Sequence, residues 1–371
     1  MTQKEAIRLD KTLCPGLSTR EDAIRYLQTT VGLWQMFCLL PEEFREDLIG
    51  YCMGLNGLAI TYDAVFKKIF NPETRTERVE SLLSALLGRK VSIRTVLPLL
   101  GTALVEKGSF LVMDMLVELD DGTYADLEMQ KVGYKFPVER SDCYGADLIM
   151  RQYTRLQREK RDRRPFDFKQ MKKIFCIVLM EQSSREFIEA TQAANTSRQE
   201  YIHGRWMRVD TGIMPDSKGL HEDIFVCLDL FRKNVHNIDK NSSLTDAWLT
   251  FLSATDVETI TQLIEAFPEF LDIYKEIAEF VRKPEELTMM LSEELYIMDR
   301  NTEREMRKDM EKENKALELR NNILKVENEG LKDENEGLKE KNAELIGANQ
   351  ELIQRIKLLE DQLAVQYHNQ Q

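Results

Sequence analysis

A chain of 371 residues with 43% apolar content can bury a substantial core and can divide into more than one domain. Its formal charge of −13 excludes a uniformly basic nucleic-acid coat, and six cysteines without a CxxC spacing signal neither a zinc site nor a disulfide framework. The apolar run "VGLWQMFCLLP" is too short to span a bilayer and no signal-peptide pattern opens the chain, so a reduced, cytoplasmic protein with no membrane association is expected.

Residues 1–58 read as an N-terminal helical extension that ends in the glycine-containing "GYCMGLNGLA". In "TYDAVFKKIFN", Val65, Phe66, Ile69 and Phe70 recur at helical spacing. "ERVESLLSALLG" repeats the pattern and stops on Gly88, a C-cap. Two alternating strands follow around Asp120, Asp121 and Gly122. A three-residue loop with Gly122 left-handed makes cross-strand partners sum to 242 and sets Asp114 opposite Glu128. A two-residue loop would pair Asp114 with Met129 and mix the faces, so the apolar pattern selects the longer loop. Leu111, Met113, Met115, Val117 and Leu119 then share a face with Ala125, Leu127 and Met129, and Asp114, Asp126, Glu128 and Gln130 share the other.

Two carboxylates directly opposed across a ladder repel, unless a cation bridges them or one is protonated. Their oxygens suit Mg2+ or Mn2+, and no histidine or cysteine cluster competes for a softer metal. The plain alternative is a hairpin whose acidic face is wet. Lys131 falls on the face opposite Glu128.

Next, "DCYGADLIMRQYTRLQREKR" reads as a helix and "KKIFCIVLM" as a strand buried on both faces. Between Lys131 and Lys173 there are thirteen basic and six acidic residues, a local excess of cations just beyond the acidic pair. Arg140, Arg151 and Arg155, with Tyr144 and Tyr153 interleaved, form a candidate nucleic-acid-binding flank, while the "REKRDRR" end reads as a solvated helix face. A helical region covers 256–298, and residues 299–371 form a tail of another kind. There Leu317, Leu324, Leu331, Leu338, Leu345, Leu352 and Leu359 recur every seven residues, with Asn314, Asn321, Asn328, Asn335, Asn342 and Asn349 in the other seam position. The tail reads as a marginal parallel coiled coil that makes the protein a homo-oligomer, weakened by its seam asparagines and by Gly330 and Gly337.

Asp114 followed after thirteen residues by Glu128-Met129-Gln130 resembles the D…(D/E)xK core of PD-(D/E)XK nucleases, in a variant with glutamine at the lysine position. "DAVFKKIFN", "LLSALLG" and "RSDCYGADLIMRQY", and more weakly "HGRWMRVDTG", "LDLFRKN" and "AWLTFLS", resemble the Rpn family of recombination-promoting nucleases and transposases. The resemblance implies an α/β restriction-endonuclease-like core over 59–255, with a mixed sheet flanked by helices. It also implies Mg2+-dependent (or Mn2+-dependent) endonucleolytic hydrolysis of DNA. Asp114 and Glu128 would hold the metal and Gln130 would take the third motif position. The family's first-helix acid falls on Asp63 or Glu80, with Asp63 preferred, though Asp63 is equally suited to cap its helix. An amide at position 130 offers hydrogen bonds but no charge to the reacting phosphate. The competing expectation is a DNA-binding or assembly protein that keeps the fold, is catalytically weak or inactive, and oligomerises through its tail.

Overall fold

The computed structural model describes residues 7–99, 113–132, 138–159, 166–193, 201–206, 219–234 and 237–368. Leu111, the basic cluster at 160–164 and the stretch 207–218 lie outside them. The chain divides into two compact units, Met1–Ile297 and Met298–Gln371. Among the described residues no helix is long and apolar enough to cross a membrane.

The first unit opens with α1 (Arg20–Leu27), α2 (Val31–Leu39) and α3 (Glu42–Cys52), of which α1 starts on Thr19, whose side chain accepts a hydrogen bond from Asp22 N. Then come α4 (Asp63–Ile69) and α5 (Thr76–Leu87). Helix α5 stops where Gly88 turns left-handed at φ 64°.

The sheet follows, built from β1 (Ile93–Val96), β2 (Met115–Leu119), β3 (Tyr124–Val132), β4 (Ile174–Gln182), β5 (Ile202–Trp206) and β6 (His221–Cys227) in the order β1-β2-β3-β4-β6-β5. It is mixed, because β3 pairs antiparallel with β2 and parallel with β4, and β4 pairs parallel with β6. Helix α6 (Val138–Glu159) makes the crossover from β3 to β4, and α7 (Arg185–Ala193) follows β4. As "IFCIVLM" foretells, β4 is buried along both faces.

The first unit continues with α8 (Leu228–Asn234), α9 (Leu244–Ser253), α10 (Val257–Ala266) and α11 (Phe270–Val281). Ser243 and Asp246 form a capping box on α9. These helices bind the N-terminal ones into the same body: Tyr26 OH donates to Val281 O at 2.8 Å, Gly57 N to Thr255 O at 2.6 Å, and Trp248 Nε1 to Ser81 Oγ at 3.0 Å. An aromatic group of Phe70, Trp248, Phe251 and Phe270 fills the space between them.

Helix α12 runs Pro284–His368. In its first turns Leu287, Met290 and Leu291 are buried in the first unit. In the second unit Leu324, Leu331, Leu338, Leu345, Leu352 and Leu359 are each 47–60% exposed.

Candidate active site

The hairpin has the register that its turn chemistry dictates. Met115 faces Leu127, Leu116 faces Asp126, Val117 faces Ala125 and Glu118 faces Tyr124, every pair summing to 242. Gly122 has φ 84°, and its N–H donates to Leu119 O at 2.9 Å. Asp114 stands one residue before β2, directly across from Glu128, and the two are joined by crossed bonds. Asp114 N donates to Glu128 Oε1 at 2.9 Å, and Met129 N donates to Asp114 Oδ2 at 3.1 Å.

The alternation suggests a solvated acidic face, and here the structure corrects it. Helix α6 lies over that face, with Tyr144 and Leu148 packed into one cluster with Leu116, Tyr124, Cys176 and Val178. Asp126 and Glu128 are therefore 0% and 1% exposed. Among the described residues, neither carboxylate oxygen of buried Asp126 has a hydrogen-bond donor. Burial, then the charge of Asp114, pushes the Asp126 carboxyl well above the usual range. Burial, then Asp126 and Asp114, does the same to Glu128. Asp114 is raised by burial as well, with Lys67 pulling against it.

Asp114, half-buried, and Glu128, buried, whose charged forms burial disfavours, offer a pair of hard oxygen ligands that suits a divalent cation. Asp114 and Glu128 would hold it. A stability consequence follows from the sign of these shifts. An acid with a raised folded pKa binds more protons folded than unfolded, so stability falls as pH rises through the window from the ordinary carboxylate range to the raised values. In EDTA, wild-type protein is expected to lose melting temperature as pH rises above the ordinary carboxylate value of about 4.5, and Asp126→Asn to lose less. Thermal melts of the two across that range check this, and parallel curves refute it.

Asp63 is the first residue of α4 and does not cap it: Tyr62 holds the cap position without a side-chain bond. The Asp63 carboxylate accepts from Lys67 Nζ at 2.8 Å, and the same ammonium lies 3.3 Å from Asp114 Oδ1. Burial works against the Lys67 charge, yet Asp114 and Asp63 outweigh it and hold its pKa above the ordinary lysine value. Glu80, the other candidate for the first-helix acid, instead accepts from Ile93 N at 2.6 Å at the start of β1. At the other member of the pair, Gln130 Nε2 donates to Glu128 Oε2 at 3.4 Å. Lys131 points to the opposite face, its ammonium 4.0 Å and 4.1 Å from the ring centres of Phe44 and Tyr62.

Helix α6 brings charges from two places along its length to the acids, Arg140 in its first turn and Arg151 further on, both of which lower the Asp126 pKa. Arg140 donates to Tyr144 OH, with Nη2 at 2.6 Å, and burial beside Glu128 pushes the Tyr144 hydroxyl pKa up. Arg151 pairs with buried Asp147 at 2.7 Å and donates to Pro98 O at 2.7 Å. Arg155 pairs with buried Glu118, and Gln152 holds Gly122 O and Lys172 N. This end of α6 thus sits beside the β2–β3 turn, about 20 Å along the helix from Arg140. Tyr153 packs there with Phe166 and Phe168, at centroid distances of 5.0 Å and 6.1 Å.

Sequence reasoning missed Asp126 and Lys67 as members of this site. It also missed the grouping of Cys176, His221 and Asp223, whose ligand atoms lie within 4.8 Å of one another. Asp223 there accepts from Ser141 Oγ and from Arg205 Nε, and a guanidinium on that carboxylate opposes a second cation.

With this geometry established, comparison with known families finds a match to the family described as PD-(D/E)XK nuclease family transposase, over residues 60–307. No curated protein and no solved structure matches the chain.

Proposed function

This chain belongs to the PD-(D/E)XK nuclease transposase family, and we propose that it is a divalent-metal-dependent endonuclease that hydrolyses DNA phosphodiester bonds. The observation that carries the reading is the crossed Asp114–Glu128 pair, with Glu128 buried and both carboxyl pKa values raised by burial, beside buried Asp126. Mg2+ or Mn2+, when bound, lowers the pKa of a coordinated water and offsets charge at the phosphate.

The chain's own residues do the rest. Asp114 and Glu128 would hold the cation, and their hydrogen bonds from backbone N–H groups fix both carboxylates relative to the strands. Asp63 adds a third carboxylate from α4 through the shared Lys67 contact. Hydrolysis forms a bond from water oxygen to phosphorus, breaks the bond to the leaving sugar oxygen, and returns a proton to that oxygen through solvent. Gln130 orients the water, since its amide is already within reach of Glu128. Arg140 and Tyr144 take the phosphate flank, and Arg151, Arg155 and Tyr153 extend it along α6 towards the turn.

The test is incubation with supercoiled plasmid and Mg2+ or Mn2+, in which nicked or linear DNA appears only with metal. No cleavage under either metal sinks the proposal. Gln130 gives a finer check: Gln130→Ala is expected to lower the rate on the order of tenfold and Gln130→Lys to preserve or raise it. A wild-type rate in Gln130→Ala removes the amide from the reaction.

A further inference from the structure

We propose that Lys67, from α4, supplies the fixed positive charge at the reacting phosphate that glutamine at position 130 cannot supply. The inference rests on the nuclease reading of the Asp114–Glu128 site. An ammonium and an amide are not interchangeable where charge develops on phosphate oxygens: the amide offers hydrogen bonds, the ammonium a full charge as well. The chain carries "EMQ" where a lysine would end the motif, so a cation must come from another element or be lacking.

Among the described residues, the geometry points to Lys67. Lys67 Nζ is 2.8 Å from Asp63 Oδ2 and 3.3 Å from Asp114 Oδ1. Asp114 is in turn bonded to Glu128, and Glu128 Oε2 to Gln130. Lys67 and Gln130 therefore contact the two members of the same carboxylate pair, Lys67 at Asp114 and Gln130 at Glu128. The Lys67 side chain is 45% exposed, so its head lies where a strand can reach it, and a lysine stem is long and flexible enough to follow a phosphate. The neighbouring lysines are engaged elsewhere. Lys68, about 100° further round the helix, lies 4.2 Å from the Phe280 ring centre and pairs with Glu286. Lys131 lies over Phe44 and Tyr62 on the other face of the sheet.

The same geometry gives Lys67 a second, opposite effect. Its ammonium lies on the Asp114 carboxylate, which would also hold the cation, so ammonium and metal would compete for that group. Removing Lys67 should then tighten metal binding while slowing the reaction. A residue that merely braced α4 would lower both.

The experiment uses the full-length protein and Lys67→Met, which keeps the stem and removes the charge. Cleavage of a labelled duplex is followed at saturating Mn2+, and Mn2+ affinity is titrated by calorimetry without DNA. The expected result is a fall in kcat of roughly a hundredfold, a much smaller change in KM, and Mn2+ binding several-fold tighter. Lys67→Met combined with Gln130→Lys should regain at least about tenfold of the lost kcat, because the charge returns at the other member of the pair. Lys68→Ala should turn over like wild type. An unchanged kcat in Lys67→Met, a joint loss of kcat and Mn2+ affinity, or no rescue by Gln130→Lys overturns the proposal. Should the wild type cleave nothing under any metal, the nuclease reading falls separately. The Lys67 proposal is then judged on the titration alone, and Mn2+ affinity left unchanged or weakened by Lys67→Met overturns it.

Discussion

Asp114→Ala and Glu128→Ala are each expected to reduce metal-dependent DNA cleavage by about a hundredfold or more while leaving a folded protein. Cation stabilisation of phosphoryl charge is worth several kcal/mol, and each 1.36 kcal/mol is a factor of ten in rate. Folding should survive because two effects oppose each other. Asp114→Ala leaves Met129 N without its acceptor at 3.1 Å, at a cost of about 1–3 kcal/mol if no water replaces it. It also removes one of three mutually repelling acids. Glu128→Ala releases Asp114 N in the same way and takes away the acid that is 1% exposed. Circular dichroism confirms the fold, and supercoiled-plasmid cleavage over a Mg2+ or Mn2+ series reads the loss. Wild-type rates in either variant would remove that carboxylate from the proposed site.

The hairpin was legible because turn chemistry and alternation act locally. A glycine suited to the left-handed position after two aspartates fixes the loop length, and the loop length fixes which residues face each other, so Asp114 meets Glu128 without reference to the rest of the chain. The same locality explains β4, whose uninterrupted apolar run can only be buried. What covers the acidic face is a tertiary matter. Asp126 reads like any polar residue on an alternating strand until α6 is laid over it. Lys67 was hidden for a related reason: Lys67 and Lys68 are adjacent and alike in sequence, and only the position of α4 against β2 sends one to Asp114 and the other to Phe280 and Glu286. The basic excess after Lys131 acquires its meaning only from the fold. Asp147, Arg151 and Arg155 recur at helical spacing on the side of α6 that faces the sheet, and both arginines meet buried acids, Asp147 and Glu118. A count of charges does not reveal that these cations also brace α6 against the sheet.

Truncation after Ile297 is expected to turn an oligomer into a monomer, the largest change in assembly that any single alteration of the chain should produce. The cut keeps Leu287, Met290 and Leu291, which are buried in the first unit, and removes only the second. In that second unit the heptad leucines from Leu324 to Leu359 remain about half exposed on a single helix, one every second turn. Such a stripe gains only when it meets another like it. Burying what remains of each leucine contributes roughly 1 kcal/mol, against several kcal/mol for the lost freedom of a second chain. Asparagines facing each other across the seam favour a parallel, in-register pair of copies over other pairings, at a cost in stability. Affinity should accordingly be modest and association should depend on concentration. Leu331→Pro with Leu338→Pro should match the truncation, since each proline inside a helix costs about 3 kcal/mol or more. Two nuclease units tied together could cut both strands of a duplex in one encounter, whereas the truncated protein should mainly nick. Light scattering over a concentration series decides the assembly, and the ratio of linear to nicked plasmid decides its consequence. A full-length protein that stays monomeric throughout refutes self-association through the tail, and an unchanged ratio after truncation separates the tail from the chemistry.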